Sequence, residues 1–155
     1  MIMRKKIIDD LKKFFSIKEL VCKHTYDRWG ESSWQFLDTD FLHTLLVIRR
    51  DILKRSMLCN NWVSGGSLSQ RGFRCNICPL VSSATKKGRL YLTSHANGCA
   101  GDFTVEGLVA EKARLLIKEH SDLLPYPIRL EEGVSWLHFD TYDYLNGNKI
   151  NSFYP

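Results

Sequence analysis

Apolar residues recur at helical spacing in three parts of the chain, and each part predicts an amphipathic helix. The first covers about residues 4–15. The second begins near Asp38 or Asp40 and ends at the basic pair Lys54 and Arg55, a charge order that suits the helix dipole. The third covers residues 105–120 and is stopped by the prolines that follow it.

Strand-like alternation is confined mostly to the second half of the chain. It predicts strands around Ile128 and over residues 134–141, and a short strand over residues 60–63. The segment from Leu20 to the second helix and residues 64–89 are predicted to be mainly loop. Because helices and strands are segregated, we expect an α+β fold with helices packed on a central antiparallel sheet.

Composition and length narrow the class of protein. The chain has 155 residues, 44% hydrophobic and 25% charged, which is the balance of an ordinary globular protein. We expect one domain over residues 1–155, with residues 1–20 as an N-terminal helix and lead-in. No apolar run approaches the roughly 20 residues of a membrane span, and the charged N-terminus lacks the apolar stretch of a signal peptide.

The formal net charge of +5 allows several partners. Its lysines and arginines are scattered and accompany no nucleic-acid-binding motif, so we expect no nucleic acid partner. A modest positive charge also suits an anionic cell-wall polymer or simple solubility.

The segment Thr93–Phe103, TSHANGCAGDF, contains the most specific chemistry. His95 precedes Asp102 by seven positions, and the small residues between them let the backbone fold closely. A third candidate, His138, lies in the predicted strand of residues 134–141. Two imidazoles and one carboxylate match the protein ligands of a catalytic zinc, which keeps a fourth position for water. We expect one zinc ion per chain at this site.

These residues carry a family resemblance. The pattern H-x-x-G-x-A-x-D, filled by His95, Gly98, Ala100 and Asp102, is followed by W-x-H-x-D at residues 136–140. Together they resemble the zinc D-alanyl-D-alanine carboxypeptidase and L-alanyl-D-glutamate endopeptidase family, which includes many phage endolysins and shares its zinc site with hedgehog signalling domains. The resemblance implies that domain fold, with the ligands on the sheet.

Several substrate-contacting residues are also expected. The triplet Gly72, Phe73 and Arg74 matches a family motif, which implies that Arg74 binds substrate and takes part in catalysis. A fixed guanidinium suits this role because it stabilises the anion that forms when a carbonyl is attacked. We also expect Thr93 and Trp136 to bind substrate. Asp140 either orients an imidazole or merely ends its strand.

A general base is normally a carboxylate within hydrogen-bond reach of the attacking water. Ser135 stands at the position that many relatives give to this carboxylate. Others use a glutamate six residues before the last histidine, and Glu132 fits that spacing. Because six extended residues span about 20 Å, a turn at Gly133 is required. Glu131 is the competitor, and the absence of any carboxylate base is the third possibility.

The five cysteines form no disulfide framework, and we expect them to be reduced and mostly buried. Cys75 and Cys78 form one C-x-x-C pair. With Cys22 and His24, or with Cys99, this pair would compose a structural zinc site, and a disulfide or redox pair is another alternative. His24, His43 and His120 are otherwise expected to be ordinary surface or core histidines.

The resemblance implies a zinc-dependent peptidase that cuts peptide bonds next to D-amino acids in peptidoglycan stem peptides. We expect a monomer that is made in the cytoplasm and reaches the cell wall after release or delivery. Carboxypeptidase and endopeptidase activity remain open. Two alternatives remain: a catalytically silent zinc module that binds a wall peptide or a protein, and a zinc-ribbon-like nucleic-acid-binding protein built on Cys75 and Cys78.

Overall fold

The computed structural model describes residues 2–155 and shows a five-stranded sheet with helices packed against it. The α-helices are α1 (Ile2–Leu11), α2 (Ile17–Leu20), α3 (Lys23–Trp29), α4 (Thr39–Val47), α5 (Pro79–Lys86) and α6 (Ala110–Glu119). The strands are β1 (Met57–Leu58), β2 (Ala100–Val105), β3 (Ile128–Glu131), β4 (Leu137–Asp140) and β5 (Ile150–Phe153). Short 3-10 helices cover Gly30–Phe36, Trp62–Ser64 and Ser121–Leu123, and a π-helical turn, Ile48–Leu53, extends α4.

The strand order is β1-β2-β4-β3-β5. The first three pairings across this sheet are antiparallel, whereas β3 and β5 run parallel. The α+β class is therefore confirmed, but the expectation of a purely antiparallel sheet is wrong. The sheet is mixed because the unpredicted strand β5 returns beside β3 in the same direction.

The two faces of the sheet differ sharply in chemistry. Phe103 pairs with Leu137 and Gly101 pairs with Phe139, so these positions share one face. That face packs on the helices and forms the main core, in which Phe103 and Phe139 are fully buried. Alternation then turns Asp102, His138 and Asp140 toward the opposite face. The packed core thus holds the polar face in position.

The three predicted helices are present with shifted ends. Helix α1 ends at Leu11, and a turn in which Phe15 N–H donates to the Leu11 carbonyl replaces its last predicted residues. Helix α4 begins after Asp38, whose carboxylate accepts the backbone N–H groups of Asp40 and Phe41. Helix α6 begins only at Ala110, because residues up to Val105 belong to β2.

Two loop predictions and two strand predictions were wrong in part. The segment after Leu20 contains α3 and a 3-10 helix, and the predicted loop of residues 64–89 contains α5. Residues 60–63 do not form a strand, because both amide atoms of Asn60 bond to the backbone, Nδ2 to the Val21 carbonyl and Oδ1 to the Arg71 N–H. The strand predicted for residues 134–141 is limited to Leu137–Asp140. Within residues 2–155, no helix is both long and apolar enough to cross a membrane.

Candidate metal centre and cleft

The sheet brings His95, Asp102 and His138 together. Asp102 lies directly opposite His138 in the β2–β4 register, and His138 Nδ1 is 2.7 Å from Asp102 Oδ1. His95 comes from the turn before β2, and its Nε2 lies 3.4 Å from Asp102 Oδ2. One donor atom from each of the three lies within 4.8 Å of the others. All three side chains are nearly buried.

Two glycines explain how His95 reaches this point. Gly98 has φ +72°, and a Cβ there would lie 2.0 Å from the Phe36 carbonyl oxygen. A Cβ on Gly72 would lie 2.2 Å from the Leu20 carbonyl oxygen. Only glycine fits either place. The Gly72 carbonyl oxygen is in turn 3.0 Å from His95 Nδ1, so this nitrogen carries the proton and leaves Nε2 free toward Asp102.

A buried carboxylate orients His138. Asp140 is 0% exposed, and its Oδ2 lies 3.0 Å from His138 Nε2. Arg129 donates to both oxygens of Asp140, at 2.9 and 2.8 Å, and the Ser94 hydroxyl donates at 3.1 Å. Asp140 is therefore a positioning residue that holds the His138 ring with Nδ1 toward Asp102.

The close contacts among these side chains shift the pKa values of Asp102 and His138. Burial alone would raise the pKa of Asp102, but hydrogen bonds from His138 and His95 outweigh it and hold that pKa far below its usual range. Burial alone would lower the pKa of His138, but the hydrogen bonds to Asp102 and Asp140 raise it to about 9. Both pKa shifts favour the charged forms of the two side chains.

The donor set fits a divalent metal ion. His95 Nε2, an Asp102 oxygen and His138 Nδ1 converge, and the outer nitrogen of each ring has its own hydrogen-bond acceptor. Such outer hydrogen bonds are typical of metal-binding histidines because they fix the tautomer and the ring orientation. Two imidazoles and one carboxylate are donors that zinc accepts.

The three candidate ligands lie in a cleft of about 410 Å³. Its walls include Arg74, Thr93, Glu131 and Trp136, together with Arg129, Tyr142 and Phe153, which sequence reasoning did not single out. A second groove of about 430 Å³ shares Arg74, Asp102 and Trp136 with this cleft. The open surface therefore continues past the ligands.

Three predicted substrate residues occupy the cleft wall. Arg74 is held by three contacts: Nε donates to the Gln70 carbonyl at 2.6 Å, Nη1 to the Tyr91 hydroxyl at 2.8 Å, and Nη2 lies 3.4 Å from Asp102 Oδ2. Trp136 is 37% exposed, as expected for a side chain that lines an open channel. Thr93 also lines the cleft.

The two adjacent glutamates point to opposite sides of the sheet. Glu132 is 8% exposed and does not line the cleft; its carboxylate accepts from Lys118 Nζ at 2.7 Å and from the Ser152 hydroxyl at 2.8 Å. Arg114 Nε lies 3.3 Å from its other oxygen. These partners overcome the effect of burial and lower the pKa of Glu132. The expectation that Glu132 faces the metal ligands is therefore wrong.

Glu131 takes the position expected of Glu132. Arg129 pairs with Asp140 and Leu130 with Phe139, so Glu131 follows on the same face as Arg129, toward His138. It lines the cleft with the candidate ligands. The strand alternation of residues 128–131, where Ile128 and Leu130 are buried in the core, is the signal that would have found it.

The remaining candidates fall in two groups. All five cysteines are free, with Cys22, Cys59 and Cys78 buried and Cys75 and Cys99 partly exposed. His43 stacks edge-on against Tyr126 in a helical region away from the ligands, and His120 is exposed at the end of α6.

No protein-family model, curated protein or solved structure matches this chain.

Proposed function

We propose that this chain is a zinc metallopeptidase that hydrolyses amide bonds next to D-amino acids in peptidoglycan stem peptides, with a domain of the hedgehog and D-Ala-D-Ala carboxypeptidase type. The observation that carries the proposal is the convergence of His95, Asp102 and His138 in one open cleft whose wall also presents Arg74 and Glu131. The substrate class rests on the motif resemblance.

The three ligands would hold zinc and leave part of its coordination shell facing the cleft. A bound zinc ion supplies Lewis-acid polarisation of the scissile carbonyl and makes water acidic enough to ionise near neutral pH. Asp140 keeps His138 in the tautomer that can bind metal through Nδ1. The Gly72 carbonyl does the same for His95 Nε2.

Glu131 is the group placed to move protons. Its carboxylate takes a proton from the attacking water and returns it to the leaving amine as the amide C–N bond breaks. Glu132 cannot take this role while its oxygens accept from Lys118 and Ser152.

In this proposal, Arg74 binds the negative charge that develops on the carbonyl oxygen. Its guanidinium is fixed by the Gln70 carbonyl and the Tyr91 hydroxyl, so little reorganisation is needed when the carbonyl oxygen becomes anionic. The same cation would attract a substrate carboxylate, and Arg129 adds a second positive charge on the cleft wall. Trp136 and Thr93 then bind the peptide beside the scissile bond.

The test is digestion of purified peptidoglycan and of synthetic stem peptides by the zinc-loaded protein, with new termini identified by mass spectrometry. A peptide of identical sequence built only from L-amino acids is the matched control. We expect cleavage of the D-containing peptide alone. If the protein binds the wall peptide but produces no new termini, the proposed peptidase is wrong and the catalytically silent binding module is favoured instead.

A further inference from the structure

A second group of metal-binding side chains lies outside the cleft. Cys22, His24, Cys75 and Cys78 each offer one donor atom, and all four atoms lie within 4.8 Å of one another. Cys75 Sγ is 3.8 Å from Cys78 Sγ, and His24 Nδ1 is 3.6 Å from Cys75 Sγ and 3.9 Å from Cys78 Sγ. We call this group the Cys3His cluster.

These separations are those of a tetrahedral zinc shell. With Zn–S bonds of about 2.3 Å and Zn–N bonds of about 2.0 Å, a regular tetrahedron places two sulfurs about 3.8 Å apart and sulfur and nitrogen about 3.5 Å apart. The distance between the sulfurs of Cys75 and Cys78 is 3.8 Å, and the distances from these sulfurs to His24 Nδ1 are 3.6 and 3.9 Å.

The surroundings of the cluster suit thiolate ligands. Cys78 stands directly before α5, so its sulfur lies by the positive end of that helix. The Thr25 hydroxyl lies 3.1 Å from Cys22 Sγ and can donate to it. Cys22 and Cys78 are buried, whereas His24 is exposed and covers the outer side. Four protein donors complete a tetrahedral shell and leave no position for substrate.

The cluster also joins two segments through a small apolar group outside the main core. Cys22, Cys78 and Val81 form a small apolar group separate from the main core, with Cys75 and Tyr91 packed against it. Cys22 N–H donates to the Phe73 carbonyl at 3.1 Å, and Phe73 N–H donates to the Leu20 carbonyl at 2.9 Å. The apolar group around the thiols has only three buried members, so a bound metal would add to the stability of this region.

The joined segment carries parts of the cleft. Gly72 orients His95 through its carbonyl, and the Arg74 N–H donates to the His95 carbonyl at 3.3 Å. Tyr91 packs against the apolar group of Cys22, Cys78 and Val81, and its hydroxyl accepts the hydrogen bond from Arg74 Nη1. An ion bound by Cys75 would therefore restrain the backbone that positions Arg74.

We propose that Cys22, His24, Cys75 and Cys78 bind a structural zinc ion in addition to the ion of the cleft. The ion closes the loop of residues 72–78 onto the segment of residues 20–25. This site does not rest on the proposed peptidase activity.

Metal content and cobalt absorption test the site on the full chain. Purified wild type should contain about two zinc ions per chain. After replacement by cobalt, it should show thiolate-to-cobalt charge-transfer absorption and the intense visible bands of a tetrahedral site. His24→Ala should lose about one zinc per chain or bind it far more weakly, and His24→Cys should restore it. The matched control is His120→Ala, an exposed histidine outside both clusters, which should keep both ions.

A second measurement uses the wild-type sequence, so it tests the site even if the variants fail to fold. Titration of zinc-loaded wild type with an organomercurial should release about one zinc per chain as the three thiolates react, and hydrogen exchange should rise over residues 72–78. The proposal is overturned if thiol blocking releases no zinc, if cobalt protein shows no thiolate band, or if Cys75 and Cys78 are isolated as a disulfide from protein prepared under reducing conditions. Loss of peptidase activity alone has no bearing on this site, because the thiolate band is read without substrate.

Discussion

The molecule has two clusters of metal-binding residues that differ in donor number and in access. The cleft cluster has three donors, two imidazoles and one carboxylate, and lines an open cavity. The Cys3His cluster has four donors, three of them thiols, and the separations among His24, Cys75 and Cys78 are close to those of a tetrahedral zinc shell. Three ligands leave a position for chemistry, whereas four complete the shell. This difference is the basis for proposing a reaction at the cleft cluster and a structural role for the Cys3His cluster.

Their hydrogen-bond partners follow the same division. In the cleft, each histidine has an acceptor behind it, the Gly72 carbonyl for His95 and Asp140 for His138. Around the thiols, the Thr25 hydroxyl is the partner of Cys22. The first arrangement fixes ring orientation for an exchangeable ligand, and the second stabilises negative charge on sulfur.

The largest expected effect comes from His138→Ala. Removing one of only three donors should abolish hydrolysis and release about one zinc per chain, while the thiolate-bound ion remains. Metal analysis and the stem-peptide assay measure both, and His120→Ala is the control. If the variant still holds two ions, the cleft cluster is not a metal site.

Glu131→Gln should have the next largest effect. It removes the proposed proton carrier but no ligand, so turnover should fall by about 100-fold or more with zinc content unchanged. The rate of stem-peptide cleavage and the zinc content are the measurements. Glu132→Gln is the matched control, one position away and on the opposite side of the sheet. A reversed order of the two variants would return the role to Glu132.

Replacement of Arg74, which contacts Asp102 in the cleft and Tyr91 beside the Cys3His cluster, should have the third largest effect. Arg74→Ala should lower kcat by about 100-fold because one preorganised donor to the developing oxyanion is lost. Arg74→Lys should recover only part, since an ammonium cannot keep the contacts with Gln70 and Tyr91 together. Unchanged kcat with a raised KM would instead assign Arg74 to substrate binding alone.

Glu132→Gln should affect stability more than activity. The variant loses the carboxylate charge that pairs with Lys118 and Arg114, and this loss should lower the free energy of unfolding by about 2 kcal/mol at neutral pH. Because the folded pKa of Glu132 is lowered, its contribution is fully present above the unfolded value near 4.5 and is lost as the pH falls below that value.

The measurement is urea unfolding of wild type and Glu132→Gln at neutral and at acid pH, with equal zinc. The difference between the two proteins should shrink in acid. A difference that grows as the pH falls would mean that the carboxylate does not stabilise the fold in its ionised form.

The convergence of His95, Asp102 and His138 could be predicted from the sequence, because His95 and Asp102 are seven positions apart and His138 lies in a predicted strand with the W-x-H-x-D pattern. His138 and Asp140 are two residues apart in one strand, so they had to share a face. The side of Glu132 was not predictable from spacing. Alternation along β3, where Ile128 and Leu130 face the core, would have put Glu131 on the cleft side, and the bond from Glu132 N–H to the Phe153 carbonyl of β5 continues that pattern.

The Cys3His cluster could be predicted from the sequence only in part. The C-x-x-C pair was visible, with Cys22 and His24 or Cys99 as possible partners, but His24 and Cys75 are separated by 51 positions, and no local pattern selects between these partners. His24 and Cys75 meet because α3 replaces part of the predicted loop after residue 20 and because Gly72 allows the backbone to approach Leu20 closely. Long-range contacts of this kind follow from the whole fold rather than from a motif.

We propose that the cleft cluster has an open coordination position and that the Cys3His cluster has none. Ligand binding to the cobalt-substituted protein tests this difference. Addition of a D-alanine hydroxamate, a small metal chelator with a D-amino-acid side chain, should shift the visible bands that His138→Ala removes. The thiolate charge-transfer absorption should stay unchanged. Shifts confined to the thiolate band, or no shift at any hydroxamate concentration while both ions remain bound, would contradict the account.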